Sequence, residues 1–289
     1  MHETLGRAAS LRSNEYTLDP SPRRLGELVP VPPAERGDRD ALWRRLRRDG
    51  YLFLKGILDR DKILEFRRSY FSALAPAGLL QPGSQPIEGI AGAGPVDGER
   101  ARAILFNQIV PGPEYDVLCT SPELVGFYEW FLGGQVFLHK RKIIRHVRVG
   151  EGGATGAHFD LVYLRGGTDR LYTSWIPIGD TPATNGGLIY LEGSHEYFYK
   201  LDQEATKKVI AQWLTKDLPD IANRLDTRWL VADYEAGDMV VHTPYMVHAA
   251  LNNTSPTGAM RLSTDIRYQL ISDPIDERWQ NHWRDDDGL

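Results

Sequence analysis

Two textures of apolar and polar positions divide the chain. Over residues 39–49, Leu42, Trp43 and Leu46 fall on one helical face, and Gly50 ends the helix. The apolar run at Tyr51, Leu52, Phe53 and Leu54 predicts a short strand over 51–56, and 59–74 reads as a second amphipathic helix. A third helix is expected over 123–131, stopping at Gly133 and Gly134. From Val136 onward, short β-rich runs alternate with Gly, Pro and Asn turns: 136–149, 161–164, 171–178, 187–191, 228–233, 238–242, 246–251 and 260–270. Many short strands at this spacing predict a sandwich, a barrel or a jelly roll. One interruption, 202–225, has a helical pattern carried by Val209, Ile210, Trp213, Leu214, Leu218 and Ile221, and reads as an insertion between strands.

Two stretches lack either period. Residues 1–38 are rich in Pro, Arg and Gly and are expected to form an irregular arm. Residues 76–100 hold six Gly and four Pro and read as a long loop of the kind that shapes a site. No repeat and no second boundary is visible. The expected layout is therefore the arm followed by a single domain over 39–289. That domain is helical over 39–133 and β-rich over 134–272.

Composition narrows the class. Hydrophobic residues make up 42% and charged residues 25%, as in an ordinary soluble protein. A net charge of −5 offers no general attraction to nucleic acid or to an anionic membrane. The arginines over 39–74 are interleaved with acids and read as solvated helix faces. No apolar run approaches the ~20 residues a membrane span needs. The first residues lack the apolar core of a secretory signal, so a cytoplasmic location is expected. The lone Cys119 excludes an internal disulfide and a thiolate metal cluster, and reads as a small core residue.

The candidate chemistry lies in the second half. His158-Phe159-Asp160 is followed ninety residues later by His248, and thirteen residues after that by Arg261. Acids occupy 39 of 289 positions and there are eight histidines, so about one His-x-Asp/Glu pair arises by chance. Context strengthens this pair. It follows a Gly-rich turn over 150–156 and precedes the expected strand 161–164, where residues i and i+2 share a face. Two histidines and one carboxylate suit one face of a non-haem iron, leaving the other open. His242 and His248 both compete for the third position, and the pattern barely separates them.

The chain resembles the phytanoyl-CoA dioxygenase family of iron- and 2-oxoglutarate-dependent oxygenases from about residue 49 to the mid-270s. The resemblance rests on 49–59, His158-Phe159-Asp160, Trp175, the run 185–195 ending Gly193-Ser194-His195, the run 237–248, Asn252-Asn253-Thr254-Ser255, and Arg261. It implies a mainly β protein with flanking helices around a double-stranded β-helix (jelly-roll, cupin-like) core. It makes His158, Asp160 and His248 the Fe(II) ligands and leaves His242 near the site as a non-ligand. Arg261 would pair with the distal carboxylate of 2-oxoglutarate, as suits a planar guanidinium. Ser263, two positions on, would share its face. Trp175 would line the co-substrate pocket, with Thr173 on the same face.

The implied reaction consumes 2-oxoglutarate and O2, releases succinate and CO2, and hydroxylates an aliphatic C–H bond of a small molecule. Related halogenases replace the carboxylate ligand by a small residue, so Asp160 favours hydroxylation over halogenation. Desaturation or ring formation, and a non-redox cupin-like metalloenzyme, stand as alternatives. His195 reads as structural, whereas His139, His146 and His282 have no partner pattern. One face of the basic strand 140–148 is a candidate to meet an anion, against a solvated outer face. Segments 76–110, 163–170 and 202–225 and the arm are expected to shape the substrate pocket, with Asn107 and Gln108 at its rim. Nothing spells out a coenzyme A site.

Overall fold

The computed structural model describes residues 11–205 and 214–289. Within the stretch expected to be irregular, three short strands form: β1 (Arg12–Ser13), β2 (Tyr16–Thr17) and β3 (Leu25–Glu27). Helix α1 (Arg39–Asp49) matches its expected span. The Asp38 side chain accepts from the Ala41 amide, and Gly50 closes the helix at φ 78° by donating to the Leu46 carbonyl. Strand β4 (Tyr51–Leu54) and helix α2 (Arg60–Leu74, capped by Asp59) follow. Three helices then occupy 98–132: α3 (Gly98–Ile104), α4 (Pro113–Cys119) and α5 (Pro122–Leu132). Of these only α5 was legible, and it ends at Gly133 with φ 80° as expected.

The second half supplies β5 (Val136–Leu138), β6 (Ile143–Val147), β7 (Leu171–Pro177) and β8 (Leu188–Leu191). After helices α6 (Ser194–Glu204) and α7 (Leu218–Arg224) come β9 (Trp229–Val231), β10 (Met239–His242), β11 (His248–Ala250) and β12 (Arg261–Leu270). Of the expected 202–225 insertion, Val209, Ile210 and Trp213 lie outside the described residues. The expected strand 136–149 splits into β5 and β6, which both pair with β12. The expected strand 161–164 is instead a 3-10 turn at Asp160–Val162 with Tyr163 closing it. Leu161, Val162 and Leu164 are apolar because they are buried, which a turn and a strand share.

Strands β1 and β2 pair with each other as a small ribbon, and the others form two facing sheets, a jelly roll. The larger has the order β4-β10-β7-β12-β5, with β6 also on β12, and the smaller β11-β8-β9-β3. Strand periodicity sorts the larger sheet's side chains. Leu52, Ser174, Val241, Leu262 and Ile266 face the helices, where Tyr128 Oη lies 2.6 Å from Ser174 Oγ. Phe53, Trp175 and Val240 face the other sheet and pack there with Tyr190 and Tyr234. Each such fully buried side chain contributes about 1.5–3 kcal/mol. One arginine departs from the expected solvated helix face. Arg67 of α2 is buried and donates to the carbonyls of Ile87, Ile178, Glu88 and Met260 at 2.7–3.1 Å, tying helix, loop and sheet together.

Candidate functional site

His158 and His248 come together by backbone pairing. Each donates its amide to the other's carbonyl, at 3.1 and 2.9 Å, so a bridge between loop and strand sets their rings 4.3 Å apart. Their Nδ1 atoms lie 2.9 Å from the Gly156 carbonyl and 3.0 Å from the Met246 carbonyl. A carbonyl only accepts, so Nδ1 carries the proton and each Nε2 presents a lone pair. Burial pushes the pKa of both imidazoles down, with His158 and His242 adding to the effect at His248. Both are therefore neutral at neutral pH.

Asp160 enters by a turn rather than a strand. Phe159 is extended (φ −120°, ψ 145°) and the 3-10 turn begins at Asp160. Its Oδ1 lies 3.9 Å from His158 Nε2 and 3.8 Å from His248 Nε2, and the three donor atoms fall within 4.8 Å of one another. The other oxygen faces backwards: Oδ2 accepts from the Thr173 hydroxyl and lies 3.4 Å from His242 Nε2. Arg267 Nη2 reaches both oxygens at 3.2 Å. Burial alone would raise the Asp160 pKa. Arg267, His242 and His248 more than offset it, and the carboxyl stays well below its usual range. The result is two neutral imidazoles and a carboxylate held from behind. His242 sits on the far side of Asp160, which separates it from His248 as the pattern along the chain did not.

The three donors open on a cavity of about 740 Å³. Strand β12 lines it with alternate residues Arg261, Ser263, Asp265 and Arg267. Arg261 is 5% exposed, and no hydrogen bond or ion pair engages its side chain among the described residues. Burial pulls its pKa down to about 10, so it remains charged at neutral pH. Trp175 lines the same cavity and packs on Tyr234 with ring centroids 4.6 Å apart. Thr173 faces Asp160 rather than the cavity.

Other expectations fall away from the site. Asn107 and Gln108 are exposed and outside the cavity wall, which takes Leu105 instead. Three other histidines have structural partners: His139 Nε2 with Gln269 Oε1, His146 Nδ1 with Tyr70 Oη, and His195 Nε2 with the Arg47 carbonyl. Residues the pattern missed are Arg267, and Trp279 and Trp283 near the end of the chain, which all line the cavity; Arg145, which lines it too, belongs to the basic strand that was a candidate to meet an anion. For Arg267 a signal existed: it continues the alternation begun at Arg261 and Ser263.

The chain is similar to known proteins in family and fold. Residues 46–261 match the family described as phytanoyl-CoA dioxygenase (PhyH). The chain is 27% identical over 248 residues to the 1-deoxypentalenic acid 11-beta-hydroxylase of Streptomyces exfoliatus, covering 81% of this chain and 82% of that one. The non-heme alpha ketoglutarate dependent carbocyclase SnoK from nogalamycin biosynthesis superposes with TM-score 0.57 at 21% identity, covering 86% of this chain and 89% of that one. The epimerase SnoN, solved with Fe3+ and alpha ketoglutarate, gives TM-score 0.56 at 22% identity, covering 82% and 85%. These structural likenesses speak to the fold.

Proposed function

The chain belongs to the phytanoyl-CoA dioxygenase family, and on that premise we propose that it is a non-haem Fe(II)- and 2-oxoglutarate-dependent dioxygenase. It hydroxylates an aliphatic C–H bond of a small organic molecule, of the kind tailored in natural-product pathways. The donor set fits iron: two neutral Nε2 lone pairs and one ionised oxygen on one side, open space on the other. His158, Asp160 and His248 would hold the metal, Arg261 and Ser263 the distal carboxylate of 2-oxoglutarate, and Trp175 would wall its pocket. When bound, iron with 2-oxoglutarate and O2 supplies the oxidising power, with succinate and CO2 released. The same reading takes 39–289 as one oxygenase domain and 1–38 as an arm that lends β3 to the smaller sheet.

The chain's own residues supply binding and orientation. The Gly156 and Met246 carbonyls fix the imidazole tautomers. Thr173 and Arg267 hold Asp160 so that Oδ1 faces the histidines, and they keep it ionised. With its carboxylate in place, the site favours hydroxylation over halide transfer. Desaturation or ring closure remains the alternative outcome of the same centre, since fold relatives are named as a carbocyclase and an epimerase.

The observation that carries the reading is Arg261: a charged, buried, unpartnered guanidinium facing the same cavity as the three donors. A non-redox cupin-like metalloenzyme has no use for it. Anaerobic addition of ferrous iron and then 2-oxoglutarate tests the reading. A visible charge-transfer band is expected in the wild type and not in Asp160→Ala. Absence of the band in the iron-loaded wild type would sink the proposal.

A further inference from the structure

Four arginines line the cavity, and two of them are already engaged. Arg141 donates to Asp287 and to the Leu289 carbonyl, and Arg267 to Asp160. Arg261 is unpartnered and, on the reading above, serves 2-oxoglutarate. That leaves Arg145. It sits in the middle of β6, opposite Ser263 of β12, with Ile143 and Val147 flanking it on the same face. Its side chain is open to solvent through the cavity. No hydrogen bond or ion pair engages it among the described residues, and its one described contact is the Trp283 ring, 5.6 Å from the guanidinium. Asp265 also lines the cavity and is the main opposite charge acting on both Arg145 and Arg261, although no ion pair or hydrogen bond joins it to either among the described residues.

Two unpaired guanidiniums thus open on one chamber, and 2-oxoglutarate's distal carboxylate satisfies one. The wall around the other is partly apolar, with Leu105, Ile143, Trp279 and Trp283, and partly charged, with Arg141, Asp265 and Arg267. An unpaired guanidinium beside apolar wall residues matches an anionic group on a hydrocarbon body. A planar carboxylate takes two parallel N–H donors from a single guanidinium, whereas a phosphate dianion calls for several donors. We propose that Arg145 anchors the primary substrate, and that this substrate is a small organic acid whose carboxylate sits on Arg145 with its apolar skeleton along Trp283, Leu105 and Ile143. The proposal rests on the oxygenase reading for the assignment of Arg261 but concerns a different residue and ligand.

The test uses the full chain, loaded anaerobically with ferrous iron and 2-oxoglutarate. Decanoic acid and a bicyclic and a tricyclic terpenoid acid are titrated, each beside its methyl ester. Binding is followed by the charge-transfer band and by tryptophan fluorescence, since Trp279 and Trp283 line the site. At least one acid is expected to bind about tenfold or more tightly than its ester, a difference of about 1.4 kcal/mol. Arg145→Gln should erase that preference, Arg145→Lys should keep part of it, and 2-oxoglutarate affinity should shift less than about threefold in both. If no acid outbinds its ester, the assignment is wrong. It is equally wrong if Arg145→Gln weakens 2-oxoglutarate tenfold, because Arg145 then belongs to the co-substrate. A wild type without a band would mark failure of the oxygenase reading instead, and the fluorescence titration of acid against ester would still decide Arg145.

Discussion

Replacing Arg261 by Met should make the ligand-free protein more stable and nearly blind to 2-oxoglutarate. The guanidinium is 5% exposed and unpartnered, and burial holds its pKa at about 10 against an ordinary 12.5. A folded pKa below the unfolded one means that folding disfavours the charged form. The cost applies in full at neutral pH, where both states are protonated, and corresponds to about 3 kcal/mol. Met keeps the packing of the stem and removes the charge, so the ligand-free variant should gain about 1–3 kcal/mol, raising Tm by a few degrees. Binding moves the other way. Two charge-assisted hydrogen bonds to a carboxylate are worth about 1.5–3 kcal/mol each, so Kd for 2-oxoglutarate should rise by about 10²–10⁴-fold. Urea unfolding, with and without ferrous iron and 2-oxoglutarate, measures both effects, because a ligand of the folded state adds stability as RT ln(1 + [L]/Kd). A variant that is less stable without ligand, yet as strongly stabilised by 2-oxoglutarate as the wild type, would refute the reasoning.

Three further outcomes are expected. Asp160→Ala should abolish 2-oxoglutarate turnover and lower stability by about 3–5 kcal/mol by stranding buried Arg267, with Asp160→Ala/Arg267→Met recovering part of the stability; full activity in the single variant would show that Asp160 is not a ligand. Thr173→Val should weaken Fe(II) or Co(II) binding about 10–100-fold by removing the hydroxyl behind Asp160, and an unchanged metal titration would deny it that role. Burial holds His146 down at about 4, below its ordinary 6.5, so its contribution to stability is present above about pH 6.5 and is lost as pH falls towards 4. Between pH 7.5 and 5 that loss is at most about 2 kcal/mol. His146→Phe should flatten the dependence of unfolding free energy on pH by that amount, and an unchanged slope would contradict the assignment.

What was readable along the chain followed from periodicity and caps. Helix α1 was legible because its apolar face and the stop at Gly50 agree, while the Asp38 cap shows only in the structure. Most strands of the second half were legible because short β-rich runs are set off by Gly, Pro and Asn turns. The turn at Asp160–Val162 was not, since burial on all sides erases the difference between a strand and a buried turn. Helices α3 and α4 have only seven residues each, too few to show a face. At the site, local pattern brought out His158 and Asp160 but left His242 against His248 undecided. Both lie on strands whose inward faces meet at Asp160, and what separates them is the backbone bridge between 158 and 248 together with the carboxylate oxygen each faces, Oδ1 for His248 and Oδ2 for His242. Arg267 stands 107 residues from its carboxylate partner, and Trp283 far from Arg145. Partnerships of that kind come from register between distant strands and from chain packing, which no local window contains.

Strand β12 carries, at every second position, the proposed co-substrate anchor Arg261, a hydroxyl, an acid and the arginine that clamps Asp160. A single inserted or deleted residue between Arg261 and Arg267 would turn part of that set towards the helices and bring Leu262, Thr264 or Ile266 into the chamber. The strand is therefore locked in length, and descendants of this protein can vary it only by substitution. Loops at the rim carry no such lock. The glycines at 150, 152 and 153 have open space around them, and residues 151–155 line the cavity. New substrate ranges in this lineage should arise through gains and losses of residues there, while β12 drifts one side chain at a time.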